Sequence, residues 1–259
     1  MITIHTEKEF IAMRKAGQLA AQVLDFITDY INVGVTTNAL NDLCHDFIVK
    51  HGAIPAPLNY KGFPKSICTS INHVVCHGIP SDRQLRNGDI INIDVTVILD
   101  GWHGDTSRMY YVGDVSIKRK KLVKAAYGAM MSGIECVKPG AYTGDIGHAI
   151  ETYANQRGYS TVREYTGHGI GRVFHDEPSI LNYGTIGTGT RLEAGMFFTV
   201  EPMLNIGKSG TILGKDQWTV TTRDKTESAQ FEHTIGVTNS GFEIFTMSLK
   251  KFDLPPYDN

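Results

Sequence analysis

A chain of 259 residues, 41% of them hydrophobic, is long enough to bury a large core as one domain or as two fused halves. Its formal net charge of -2 leaves no basic footprint, so nucleic acid is not expected as a substrate. No segment approaches the roughly eighteen uninterrupted apolar residues of a membrane span, and the first residues carry no basic-then-apolar leader. Four cysteines, Cys44, Cys68, Cys76 and Cys136, lack Cys-x-x-Cys spacing; reduced thiols in a cytoplasmic protein are the expectation.

In chain order, Thr6 and Glu9 have capping-box spacing, and Phe10, Met13, Gly17, Ala20, Leu24, Ile27 and Ile31 recur at helical intervals until Gly34. A second helix is expected from about Thr37, with Leu40, Leu43, Phe47 and Ile48 on one face and Gly52 after it. Ile54 to Pro80, rich in Pro and Gly, is read as a structured loop and one short strand. A hairpin follows from Ile90 to Gly113. Ser116 to Val137 is then helical until Pro139-Gly140. Another helix opens at Thr143, burying Ile146, Ile150 and Tyr153. From Ser160 to Ser248, β-rich runs alternate with Gly-rich turns, and Lys250 to Asn259, polar with Pro255-Pro256, is read as a loosely held tail.

The hairpin organises the rest. Two β-branched and aromatic runs are separated by Asp100-Gly101, a pair suited to a type I′ turn because both central residues need positive φ. That turn sets Leu99 opposite Trp102 and Thr96 opposite Asp105. Period-two alternation then places Asp94 on the face of Thr96 and Asp105, so the two carboxylates become diagonal neighbours. Such a pair either converges on cations or lies on a solvated face. His103 shares that face but sits one pair from the turn, where a half-exposed ring is expected.

The order of elements repeats. Leu85-x-x-Gly88 with Asp94 six residues on is echoed by Leu192-x-x-Gly195 with Glu201, and His77-Gly78-Ile79 by His168-Gly169-Ile170. A duplicated unit with halves of roughly 6–113 and 114–248, and a site at their junction, is the reading. The second half supplies Glu201 at the end of an apolar run, Glu232 facing away from Phe231 and His233, and His168 between two glycines. Singly, each has an ordinary structural explanation. Together, four carboxylates and an imidazole make a hard, oxygen-rich set of the kind used by paired divalent ions. Cys76 is read as a small buried hydrophobe, because no motif supplies it with a base.

Asn92-Ile93-Asp94-Val95, His103-Gly104-Asp105-Thr106, Thr166-Gly167-His168-Gly169-Ile170-Gly171, Val200-Glu201-Pro202 and Glu232-His233-Thr234, in this order, resemble the type I methionine aminopeptidases from about Thr6 to Thr246. The resemblance implies a pita-bread fold, an α/β (α+β) arrangement of two pseudo-twofold αβ halves around a central antiparallel sheet. It implies a single catalytic domain over 1–259 that removes the initiator methionine from nascent polypeptides with a small second residue. By the same resemblance Asp94 would hold one metal, His168 and Glu201 the other, and Asp105 and Glu232 would bridge both. Hydroxide from a metal-bound water would be the nucleophile, with Glu201 a proton shuttle, His175 a donor to the carbonyl oxygen and His77 a contact to the scissile amide. Two divalent ions are implied, and Co, Mn, Fe and Zn all suit the donors. Tyr60, Phe63, Cys68, His77, Phe174 and Trp218 would line the methionine pocket. Bacterial relatives often have Tyr at Phe63 and Cys at Pro57, so the outer wall is where this chain departs from them.

The implied partners are peptide N-termini met in the cytoplasm by a monomer, with the ribosome surface as a docking place and neither membrane nor nucleic acid as substrate. The rivals are a proline-specific peptidase of the same fold, a type II aminopeptidase and a non-catalytic binding protein. Only 33 positions separate His168 from Glu201 (201 − 168), too few for the helical insertion of the type II enzymes.

Overall fold

The computed structural model describes residues 2–257. Helix α1, Glu7–Ile27, begins where the Glu9 carboxylate folds back to accept the Thr6 backbone N–H at 2.7 Å and the Thr6 hydroxyl at 2.8 Å. Its buried stripe includes Phe10, Met13, Gly17, Ala20, Leu24 and Ile27, as the periodicity requires. The helix stops at Ile27 and does not continue to Gly34. The Thr28 hydroxyl donates back to the Leu24 carbonyl at 2.9 Å, and one 3₁₀ turn, Thr28–Tyr30, follows. Helix α2, Thr37–Lys50, is capped by the Thr36 hydroxyl, which accepts the Ala39 N–H at 3.1 Å.

The stretch read as a loop with one strand holds three: β1 Ile54–Pro55, β2 Cys68–Ile71 and β3 Val74–Cys76, with a 3₁₀ turn at Tyr60–Gly62. Strands β4, Ile90–Leu99, and β5, Trp102–Tyr111, form the expected hairpin, with Leu99 opposite Trp102 and Thr96 opposite Asp105. Asp100 (φ 52°) and Gly101 (φ 80°) both take the left-handed conformation that the turn demands. Helices α3, Ile117–Ile134, and α4, Thr143–Asn155, come next; Tyr153 of α4 is half-buried, not buried. The remaining strands are β6 Ser160–Thr161, β7 Gly167–Gly169, β8 Asp176–Ile180, β9 Phe197–Val200 and β10 Met203–Asn205, then β11 Thr211–Leu213, β12 Val220–Thr222, β13 Ser228–Gln230, β14 His233–Val237 and β15 Phe242–Ile244.

All strand pairings among the described residues are antiparallel. In the first sheet β5 pairs with β4 along its whole length, while β2 and β1 pair with successive parts of β4. The second large sheet runs β15-β14-β9-β7-β8, and two three-stranded sheets, β13-β10-β6 and β11-β12-β3, complete the set. The two large sheets are spliced where β5 meets the start of β14. The Glu232 N–H donates to the Ser107 carbonyl at 3.1 Å, the Thr106 hydroxyl to the Glu232 carbonyl at 2.7 Å and the Thr234 hydroxyl to the Asp105 carbonyl at 2.6 Å.

Each large sheet has its own helix pair. Leu24, Ile27, Leu40 and Ile48 of α1 and α2 pack with Ile91, Ile93, Val95, Val97 and Tyr110. Residues of α3 and α4, including Leu122, Met130, Ile146 and Ile150, pack with Phe198, Val200, Leu204, Phe231 and Ile235. Because Ile91, Ile93, Val95 and Val97 face the helices, alternation turns Asn92, Asp94 and Thr96 the other way. Gly104 lets α1 lie directly on β5: a Cβ there would stand 2.3 Å from the backbone of Ala16. No helix among the described residues is long and apolar enough to cross a membrane.

The C-terminal segment is packed, contrary to the expectation of a loose tail. Phe252 is buried and stacks on Tyr257, whose hydroxyl donates to the Met109 carbonyl at 2.8 Å and whose ring sits under the Arg108 guanidinium. Arg108 is itself paired with Asp25 at 2.8 Å, and the Ser248 hydroxyl donates to the same carboxylate. Asp258 and Asn259 lie outside the described residues.

Candidate functional site

The face of β4 and β5 turned away from α1 and α2 lines a cavity of about 380 Å³. Asp94, Asp105, His168, Glu201 and Glu232, drawn from both large sheets, all line it, as do Tyr60, Phe63, Cys68, His77, Phe174, His175 and Trp218. Asp105 is held by the Thr96 hydroxyl, which donates to it at 2.7 Å across the hairpin; this bond is direct proof that Thr96 and Asp105 share a face. The splice between β5 and β14 sets Glu232 beside Asp105. Asp105, His168 and Glu232 each offer a ligand atom within 4.8 Å of the others. His168 Nε2 lies 3.7 Å from Asp105 and 3.6 Å from Glu201, which ends β9. Asp94, opposite Cys68 and Ser107 in the ladder, lines the same cavity and makes no side-chain hydrogen bond among the described residues.

The electrostatics of these groups suit bound cations. Burial pushes the Asp94 carboxyl up to about 7. Burial and then the neighbouring carboxylates hold Asp105, Glu201 and Glu232 well above the ordinary carboxylate range. Burial lowers His168 to about 4, keeping it a neutral donor of a lone pair. No Lys or Arg forms an ion pair with any of the four carboxylates among the described residues, whereas the buried Asp25 has Arg108. Four carboxylates whose neighbours are one imidazole, two hydroxyls and an amide, with no Lys or Arg, fit divalent cations, which are the partners that would repay their desolvation.

The pocket wall is aromatic. Phe63 meets Trp218 edge-on at 5.1 Å, Tyr60 packs on Phe174 at 4.8 Å, and Phe174 stacks on His175 at 4.2 Å. His175 stays exposed on its outer edge, yet packing on its inner side and the nearby His168 hold its pKa well below the ordinary imidazole value. His77 lines the cavity with a left-handed backbone (φ 55°), and burial lowers its pKa. His103 is buried and not half-exposed as expected, because Phe174 from a distant loop stacks on it and its Nδ1 pairs with the Gly171 carbonyl at 3.0 Å. Cys76 is buried and, like the other three cysteines, free.

The sequence matches metallopeptidase family M24 over residues 11–239. It is 74% identical to a methionine aminopeptidase of Rickettsia prowazekii over 257 residues, 99% of each chain. The chain belongs to family M24, among its methionine aminopeptidases. A methionine aminopeptidase structure from Thermotoga maritima superposes with a TM-score of 0.93 at 36% identity, covering 95% of this chain and 99% of that one. A prolidase from Pyrococcus horikoshii matches with a TM-score of 0.75 at 21% identity, over 94% of this chain but 63% of its own, which shows a shared fold alone.

Several residues at or beside the site escaped the sequence reading. Thr199 links two expected site residues: its hydroxyl donates to Glu201 at 2.8 Å and accepts the His168 N–H at 3.0 Å. Gln230 donates to Glu201 at 3.3 Å. Period-two alternation, which places Thr96, could have found Thr199 and Gln230 as well, each two residues from an acid on the same strand run. Lys61, Glu164, Tyr165 and Met203 also line the cavity, and no local signal marks them.

Proposed function

We propose that this chain removes the N-terminal methionine from peptides and nascent polypeptides whose second residue is small, and that two divalent ions serve it. The observation that carries the reading is the set of four carboxylates, Asp105 and Glu232 buried and Asp94 and Glu201 half-buried, with no Lys or Arg paired to them among the described residues, together with His168 in a cavity walled by aromatic rings. Asp94 would hold one ion, His168 and Glu201 the other, and Asp105 and Glu232 would lie between both; Co, Mn, Fe and Zn all suit these donors. When bound, such ions supply Lewis acidity that lowers the pKa of water from about 15.7 toward neutrality and neutralises the carboxylates.

The chain's own residues do the rest. Glu201, oriented by Thr199 and Gln230, takes and returns a proton at its carboxylate. His175 donates to the carbonyl oxygen of the scissile bond as charge develops there, and His77 contacts the scissile amide. Tyr60, Phe63, Cys68, Phe174 and Trp218 enclose the methionine side chain, excluding water from the bond that breaks. The chain would act as a cytoplasmic monomer that meets nascent N-termini, with the ribosome surface as its docking place; the four free cysteines suit the reducing compartment.

Chelation should abolish methionine release from Met-Gly and Met-Ala peptides, and added Mn, Fe or Co should restore it, while Met-Leu and Met-Lys peptides are cut far more slowly. Full activity after verified metal removal would refute the reading. So would a preference for tripeptides with Pro second and a residue other than Met first.

A further inference from the structure

The turn that carries part of the pocket wall is built from uncommon backbone. Asn59 (φ 66°), Lys61 (φ 48°) and Gly62 (φ 87°) are all left-handed, a conformation that a lysine adopts at a cost and that clusters where side chains are held for a purpose. The turn fixes Tyr60 between two neighbours: the Lys61 ammonium lies 5.2 Å above its ring, and Phe174 packs against it. A methionine pocket needs an apolar ring at this place and no hydroxyl, as Phe63 and Phe174 illustrate. The Tyr60 hydroxyl nevertheless has a partner. It lies 3.0 Å from His175 Nδ1, with the two rings stacked at 5.3 Å and 22°, and makes no other hydrogen bond among the described residues.

We propose that Tyr60 is a positioning residue whose hydroxyl donates to Nδ1 of His175 and thereby fixes that imidazole as the Nε2–H tautomer, the form that can donate to the substrate's carbonyl oxygen. A neutral imidazole carries one ring proton, and the partner at one nitrogen decides which nitrogen bears it. A phenol is a stronger donor than acceptor, because its oxygen lone pair is delocalised into the ring. With Nδ1 engaged as acceptor, Nε2 is the nitrogen left to carry the proton. The opposite tautomer would turn the Nε2 lone pair toward a developing oxyanion and repel it. The inference rests on the role given to His175 under the proposed function, and it makes the Tyr60 ring and the Tyr60 hydroxyl separable.

The experiment pairs kinetics with nitrogen NMR on the full chain. In zinc-loaded protein labelled with ¹⁵N-histidine, His175 should show a protonated Nε2 and an unprotonated Nδ1. Tyr60→Phe, which keeps the ring, should convert that pattern to a mixture of tautomers. With manganese-loaded enzyme and a Met-Ala-Ser peptide, the same variant should lower kcat about tenfold, the worth of one hydrogen bond, with KM within about twofold. Tyr60→Leu, which removes the ring as well, should add a rise in KM. A wild-type His175 protonated at Nδ1, or a Tyr60→Phe enzyme with unchanged kcat, overturns the proposal. Failure of the function itself reads differently: wild-type protein would release no methionine with any metal while its His175 tautomer stayed as assigned.

Discussion

Asp94→Asn tests the charge argument with the fewest side effects, because among the described residues Asp94 makes no side-chain hydrogen bond that an amide would lose, whereas Asp105 accepts from Thr96. Burial holds the Asp94 carboxyl at about 7, against about 3.9 in an unfolded chain. Without metal, the folded state therefore binds more protons than the unfolded state between those values, and stability must fall as pH rises through the window. The difference corresponds to about 4 kcal/mol lost by pH 8 and absent at pH 3 to 4. In EDTA, urea midpoints of wild-type protein should thus fall from pH 5 to pH 8. Asp94→Asn should fall less and be the more stable protein at pH 8. With excess Mn²⁺ the order should reverse, because bound metal repays the deprotonated carboxylate and the amide is a poorer ligand. A metal-free Asp94→Asn variant that is less stable than wild type at pH 8 would refute the reasoning, since it would mean that the carboxylate stabilises the fold by some contact other than a cation.

His175→Ala should lower kcat by about 10²–10³ with metal content and KM little changed, measured by steady-state kinetics beside metal analysis. Gly104→Ala would drive a methyl into the Ala16 backbone at 2.3 Å, and should cost about 2–4 kcal/mol in urea denaturation as α1 is pushed from β5. Arg108→Met leaves the Asp25 carboxylate buried with Ser248 as its remaining donor; a loss of about 3–5 kcal/mol is expected, part of which Asp25→Asn in the same chain should restore.

What the sequence made legible was local in origin. The Asp100-Gly101 turn and the alternation of β4 and β5 specify one register, and that register alone brings Asp94 and Asp105 to one face. Glu232 is different. Its place beside Asp105 depends on the bridge to Ser107, a pairing between strands far apart in the chain that periodicity cannot specify; alternation gives only its facing, and the resemblance to a known family gives its role. Of the short strands β1 to β3 only one is expected from the sequence, because their pairings, β1 and β2 with β4 and β3 with β12, are distant in the chain and Pro-rich flanks mask them. His103 shows the limit of alternation, which assigns a face but not what covers it. Phe174, whose loop lies elsewhere in the sequence, supplies the cover.

The tail carries the same lesson to the other face of β5. Its polar residues and Pro255-Pro256 read as loose because the groups that receive Tyr257, on which Phe252 stacks, are on a distant strand. Alternation along β5 sends Asp105 and Ser107 toward the cavity and Arg108 and Tyr110 toward α1, where Arg108 meets Asp25 and the Tyr110 hydroxyl donates to the Leu24 carbonyl at 2.8 Å. A strand that presents the buried Asp105 carboxylate, with the Thr96 hydroxyl donating to it and no Lys or Arg paired with it among the described residues, carries a desolvation cost that bound cations would offset. Its position must then be fixed from behind. The ion pair, the two tyrosine hydroxyls and the C-terminal segment all act on that rear face, while Thr96, Thr234 and Glu232 hold Asp105 to Ser107 from the neighbouring strands.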